Sequence, residues 1–125
     1  MSLDHKKLLQ LRADHPIVLH SIGLNMGGVQ EFDKSYLASF KEIYNKLKPQ
    51  YISDHLCWSA HNGTYHHDLL PIPYTKEGLK NIISRVNYLQ DYFSRELVLE
   101  NITSYINLED NDYTEIDFLK ELSMA

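Results

Sequence analysis

His20, His55 and Glu100 are far apart in the chain, yet each stands at the same kind of place. Ile17-Val18-Leu19 runs into His20, Tyr51-Ile52 into Ser53-Asp54-His55, and Leu97-Val98-Leu99 into Glu100-Asn101. Each apolar run therefore turns polar at its C-terminal end. If the three runs are parallel strands, those ends share the face on which α/β folds bind ligands. Two imidazoles and one carboxylate gathered there are a donor set that non-haem iron, manganese or zinc accepts while positions stay open for substrate. His20 and His55 are 35 residues apart, which fits one strand-helix-strand step; the longer interval to Glu100 leaves room for an extra loop. On the residue pattern alone a second reading stays open, in which both histidines are hydrogen-bonded strand-end residues and Glu100 is a salt-bridge partner.

The stretch SDHLCWSAHNGTYHHDLLPIPYT, residues 53–75, concentrates polar and aromatic groups, holding four of the seven histidines, the single cysteine and the single tryptophan. It reads as a long loop with a tight turn at Asn62-Gly63. His61, His66 and His67 fall around that turn, where imidazoles are ordinarily solvated. His67 beside Asp68 is the pair that could line the mouth of a site or support its ligands. Cys57 has no partner for a zinc knuckle and reads as a buried thiol. Asp54 alternates with His55 along a strand, so it is expected to point the other way and make a structural hydrogen bond; Asn101 is expected to leave the face of Glu100 for the same reason. Gly27-Gly28 lacks the spacing of a phosphate-binding loop and reads as a turn.

The elements that must hold these residues follow from periodicity. PIVLHSIGLN begins as a strand and runs into the turn-prone Asn25-Met26-Gly27-Gly28. Asp33 is a good N-cap, and Tyr36, Leu37, Phe40, Ile43, Tyr44 and Leu47 recur on one helical face until Pro49. QYISDHL is the second strand. Thr75 caps a helix whose stripe is Leu79, Ile82, Ile83, Val86, Leu89 and Phe93, and RELVLEN is the third strand. A polar loop leads to Thr114 and a last helix beginning at EIDFLKEL, while DHKKLLQLRADHP at the other end reads as the tail of a helix feeding strand one. Helices alternating with strands predict an α/β fold with a parallel sheet.

Composition narrows the function classes. With 125 residues, 43% hydrophobic and 23% charged, the chain suits one globular domain. A net charge of -5 without a Lys/Arg cluster argues against nucleic acid. No apolar run approaches the roughly 18 residues of a membrane span, and charged residues break every candidate signal-peptide core. One cysteine allows no internal disulfide. The expected setting is the cytoplasm, with no membrane partner.

LHSIGLNMGG, SDHLCWS, DLLPIPYT, RVNYLQD and LVLENITSYI, in this order, resemble the multinuclear non-haem iron-dependent oxidative enzymes, a family of xylose-isomerase-like TIM barrels that includes the methanobactin maturases. The resemblance covers almost the whole chain. It implies a partial (β/α)8 barrel over residues 1–125, a single incomplete domain of about three parallel strands with crossover helices. It implies two or three iron ions in an intact member, dioxygen as oxidant, and a cysteine of a ribosomally made precursor peptide as substrate, delivered by a recruiting partner protein. Carried over by motif, the metal ligands match His20, His55 and Glu100, the last resembling a carboxylate that bridges irons. Asp54, His67, Asp68 and Asn101 are then candidates for supporting or substrate-facing roles, with the Pro71-Ile72-Pro73 loop shaping the mouth.

The resemblance also has departures. Eight strand-helix units make such a barrel, whereas this chain shows three strands and stops before the later LLDVNN-like strand and the downstream His, Asp and Glu ligands. The expectation is a fragment with an incomplete iron centre and little or no turnover. Two other readings stay open: a divalent-metal sugar isomerase or lyase on the same barrel type, and a non-catalytic module whose open sheet edges are covered by another copy or a second chain.

Overall fold

The computed structural model describes residues 3–106 and 108–125. Helix α1, Leu3–Asp14, leads into strand β1, Leu19–His20. Helix α2, Lys34–Leu47, then crosses to strand β2, Ile52–His55. Strands β3, Trp58–His61, and β4, Thr64–Leu70, follow, then helix α3, Lys76–Phe93, strand β5, Leu97–Glu100, and helix α4, Glu115–Met124. Strands β1, β2 and β5 form one parallel sheet in the order β1-β2-β5, and β3 and β4 form a separate antiparallel pair.

The helices begin and end where their local chemistry dictates. Asp33 accepts hydrogen bonds from the backbone N–H groups of Ser35 (2.8 Å) and Tyr36 (3.1 Å), and its bond from the Ser35 hydroxyl is the main reason its carboxyl is held below the usual range. Lys48 ends α2 in the left-handed conformation, directly before Pro49. Thr75 caps α3 through Gly78 N–H at 3.0 Å, and Thr114 caps α4 through Asp117 N–H at 3.2 Å. The stripes read from the sequence face inward: Leu37, Phe40 and Leu47 of α2, and Leu79, Ile82, Leu89 and Phe93 of α3, are all buried. Arg85 joins them, a charged residue in the middle of the α3 stripe.

The core lies on one side of the sheet. Leu24, Met26, Leu37, Phe40, Ile52, Leu89 and Phe93 make one cluster, against which Leu19, Leu97 and Leu99 pack; Leu56, Ile72, Tyr74, Leu79, Ile82 and Phe118 make a second between α3 and α4. On the other side Val18 is 43% exposed and Val98 45% exposed. A parallel sheet coated by helices on one face alone is the arrangement of a barrel segment, because doubly wound sheets carry helices on both faces. Among the described residues no helix is long and apolar enough to cross a membrane.

Two sequence expectations need correction. Strand one is shorter than PIVLHSIGLN: ladder bonds run only from Ile17 O, which accepts from Gln50 N–H, to Ser21 N–H, which donates to Ser53 O. Beyond Ser21 the chain turns into the core, burying Leu24 and Met26, which a continuing strand could not do. The long loop of residues 58–70 is a hairpin. Asn62 and Gly63 take φ values of 48° and 76°, the left-handed pair that a two-residue hairpin turn demands. The strand was hidden in the sequence because β4 is exposed from Thr64 to Asp68 and so shows no apolar alternation. A register shift between Trp58 and Ala60 breaks the pattern further.

The core makes a direct demand on Leu89, which has no exposed surface. Replacing Leu89 by Ala should lower unfolding free energy by about 2–5 kcal/mol, read from urea midpoints. The same change at Leu11, 53% exposed on α1, should shift the midpoint little.

Candidate metal centre

Register brings the three candidate ligands together. In the parallel ladder His20 stands opposite Ser53, and His55 stands opposite Glu100. Side chains alternate along a strand, so Ser53 and His55 share one face of β2, and their ladder partners His20 and Glu100 share it with them. His20 Nε2 lies 3.2 Å from His55 Nε2, 3.8 Å from Glu100 Oε2, and the latter oxygen is 4.0 Å from His55 Nε2. The two rings meet edge to face at 84° with centroids 4.5 Å apart. A transition metal about 2.1 Å from each donor needs donors about 3 Å apart. The two imidazole nitrogens already meet that spacing, and the Glu100 carboxylate has to move by less than 1 Å or so to join them. Among the described residues this is the one group of three or more His, Cys, Asp and Glu side chains able to hold an ion.

Burial grades the three donors. The side chain of His55, on the central strand, is 12% exposed, and those of His20 and Glu100, on the two outer strands, are 38% and 59% exposed. His55 Nδ1 is buried and has no hydrogen-bond partner; its nearest acidic neighbour is Asp54 Oδ1 at 3.4 Å. On His20 the corresponding Nδ1 meets Ser53 Oγ at 2.8 Å. Each imidazole thus has its Nε2 toward the shared space and its Nδ1 toward β2, the orientation that metal-binding histidines use.

Asp54 behaves as strand alternation predicts. It is buried on the helix side of β2, accepts from Leu24 N–H at 2.8 Å and from His55 N–H at 2.6 Å, and so fixes the segment after β1 against the strand that carries His55. Asn101 also leaves the ligand face, donating to Glu115 Oε1 at 2.9 Å and lining a cleft of about 490 Å³ with Leu56, Val86, Leu99 and Leu119. His67 and Asp68 lie on the exposed part of β4, outside the three-ligand group; His67 has φ 54°, and Asp68 accepts from Leu69 N–H at 2.8 Å. His61 meets Gln30, and His66 packs edge-on against Trp58. Of the histidine-rich segment, His55 alone joins the group.

Sequence reasoning missed the residues that hold the mouth in shape. Asn25, at φ 53°, accepts from Ser59 N–H (2.7 Å) and Ala60 N–H (3.3 Å) and donates to Ala60 O (3.0 Å), so it closes the outer edge of β3. Arg85 donates to Gln30 O, Leu24 O and Asn25 O and stacks on Phe32 at 3.8 Å, gathering the loop after β1 onto α3. Burial lowers its guanidinium to about 10. Ser53 could have been found, since two residues before His55 on a strand is the same face; Asn25 and Arg85 left no comparable signal.

Residues 2–125 match the model of a family described as RiPP precursor modification enzyme MbnB/TglH/ChrH. The chain belongs to the MbnB/TglH/ChrH family. It is 39% identical over 116 residues to a UPF0276 protein of Anaeromyxobacter sp. (strain Fw109-5), covering 93% of this chain and 41% of that protein. It is 37% identical over 118 residues to one of Rhizobium meliloti (strain 1021), covering 94% and 38%, and 39% identical over 119 residues to one of Vibrio parahaemolyticus, covering 95% and 41%. This MbnB/TglH/ChrH family chain therefore spans about two fifths of the length of the curated relatives it matches.

Two residues after His55, Cys57 is buried, and burial, followed by the charges of Asp54 and Asp68, pushes its thiol up to about 12. A raised thiol favours the neutral form, so the thiolate is scarce at pH 8 and the native protein should resist iodoacetamide and Ellman's reagent there. In denaturant the same thiol should react at the rate of a free cysteine. Comparable rates in the two states would contradict this burial.

Proposed function

We propose that this chain carries one part of the metal-binding wall of a peptide-modifying oxidase, with His20, His55 and Glu100 as metal ligands and iron as the metal. The convergence of His20 Nε2, His55 Nε2 and Glu100 Oε2 at one end of the parallel sheet carries the reading. The family description supports a ribosomally made precursor peptide as substrate and favours it over a sugar. Bound iron supplies redox chemistry with dioxygen and open positions at which a soft cysteine thiolate of the peptide can be oriented.

The chain's own residues do the preparatory work. Ser53 and the β2 backbone hold His20 beside His55, and the open face of the sheet leaves a peptide room to approach. Glu100, the most exposed of the three donors, brings the negative charge that offsets a cation. Three ligands do not complete a centre of two or three ions, so the remaining ligands, and the surface that receives a recruiting partner protein, belong in this reading to the further length that the relatives possess. The 125-residue chain by itself should bind metal with little or no turnover.

A second reading has its own support. The exposed Val18 and Val98 and the free edge of β5 would suit a module covered by another copy or a second chain. Sizing in solution separates the two: a stable oligomer that binds no iron favours assembly.

Anaerobic titration with ferrous iron tests the leading reading. The chain should bind about one equivalent; His55→Ala should abolish binding, and Glu100→Gln should weaken it by at least tenfold or so. Undiminished binding by a His20→Ala/His55→Ala double variant would refute the assignment.

A further inference from the structure

We propose that Ser53 is a positioning residue: it holds His20 as the Nδ1–H tautomer, so that the Nε2 lone pair faces His55 and Glu100. The inference rests on the metal reading above for the direction of the bond, not for its geometry. Ser53 is 8% exposed on the central strand, directly opposite His20 in the ladder, and its Oγ is 2.8 Å from His20 Nδ1. Its carbonyl accepts from Ser21 N–H at 2.8 Å, so the backbone beside His20 is pinned by the same residue that meets the ring.

A count of protons leaves two directions for this bond, and a ligating His20 Nε2 requires the one in which Nδ1 donates to Ser53. The two Nε2 atoms, 3.2 Å apart, can share one proton and no more. With one N–H on each ring, the second sits on one of the Nδ1 atoms. With His20 donating from Nδ1 to Ser53, His55 donates from Nε2 to His20, and His55 Nδ1 presents a lone pair toward the Asp54 carboxylate. That Nδ1 is buried, has no hydrogen-bond partner and lies 3.4 Å from Asp54 Oδ1. The tautomer of one ring is set by the partner of its other nitrogen, and here that partner is Ser53.

The consequence is an asymmetric pair. His20 is ready to ligate as it stands, whereas His55 has to move its proton from Nε2 to Nδ1, where Asp54 Oδ1 waits to receive the hydrogen bond. Ser53 and Asp54, neighbours on β2, thereby serve the two imidazoles from opposite faces of one strand.

Nitrogen-15 NMR of the imidazoles in the metal-free chain tests the tautomer directly. His20 should report Nδ1–H in the parent; Ser53→Ala should move it toward the Nε2–H form that free histidine prefers; Ser53→Thr, which keeps the hydroxyl, should restore it. The same spectra report whether each variant is folded. Cobalt(II), added alone and followed by its visible absorption, should bind about 10–100-fold more weakly to Ser53→Ala and recover in Ser53→Thr. An Nε2–H signal for His20 in the parent, or a tautomer indifferent to Ser53→Ala, overturns the proposal. A parent with the expected tautomer that binds no cobalt overturns the metal reading while the positioning role of Ser53 stands.

Discussion

The pairing of β2 with β5 is the constraint from which the site follows. Ile52 aligns with Leu97, Ser53 with Val98, Asp54 with Leu99 and His55 with Glu100. Because side chains alternate with a period of two, a slip of one residue would turn Glu100 toward the helices and Leu99 toward the ligands. Burial forbids that slip. Ile52, Leu97 and Leu99 pack against the cluster built on Leu89 and Phe93, and no charged residue could take their place without a partner. The hydrophobic effect on one side of the sheet therefore sets the position of the polar groups on the other. β1 obeys the same rule, with Leu19 packed inward and His20 outward.

A second layer of constraint keeps the rim in place, and it is polar. The segment after β1 carries Leu24 and Met26 into the core, which takes its backbone away from water and leaves its N–H and C=O groups to be satisfied. Asp54 receives Leu24 N–H, Cys57 O receives Gly27 N–H, and Arg85 and Asn81 supply donors to the carbonyls of Leu24, Asn25, Gly28 and Gln30. Gly27 and Gly28 belong to this tightness: a Cβ at Gly27 would fall 2.4 Å from Ile72, and one at Gly28 would fall 2.3 Å from Asn25. The turn read from the sequence at these glycines is thus also a close contact between the loop after β1 and the hairpin's base.

How much of this was legible depended on the range of the signal. Caps and stripes are local, so Asp33, Thr75 and Thr114 and the faces of α2 and α3 could be placed from spacing alone. The convergence of His20, His55 and Glu100 was legible because a polar residue ending an apolar strand is local too, and parallel topology supplies the rest. The β3–β4 hairpin was not, although Asn62-Gly63 marked its turn. Its outward strand is exposed, and β3 is held from outside by Asn25, more than thirty residues earlier. Arg85 left no local signal either, because its partners are the carbonyls of Leu24, Asn25 and Gln30, from a distant part of the chain.

The gradient of exposure across His55, His20 and Glu100 carries the last step. His55 sits on the central strand with neighbours on both sides, so its ring has little freedom; Glu100 sits on β5, whose other edge has no partner among the described residues. Neighbouring strands lie about 4.8 Å apart. A further parallel strand on that edge would put its own C-terminal side chains within reach of Glu100, and a carboxylate has two oxygens with which to answer. In the proposed reading Glu100 would be the group that meets side chains added on the β5 edge. His55, on the central strand between β1 and β5, has no free edge beside it.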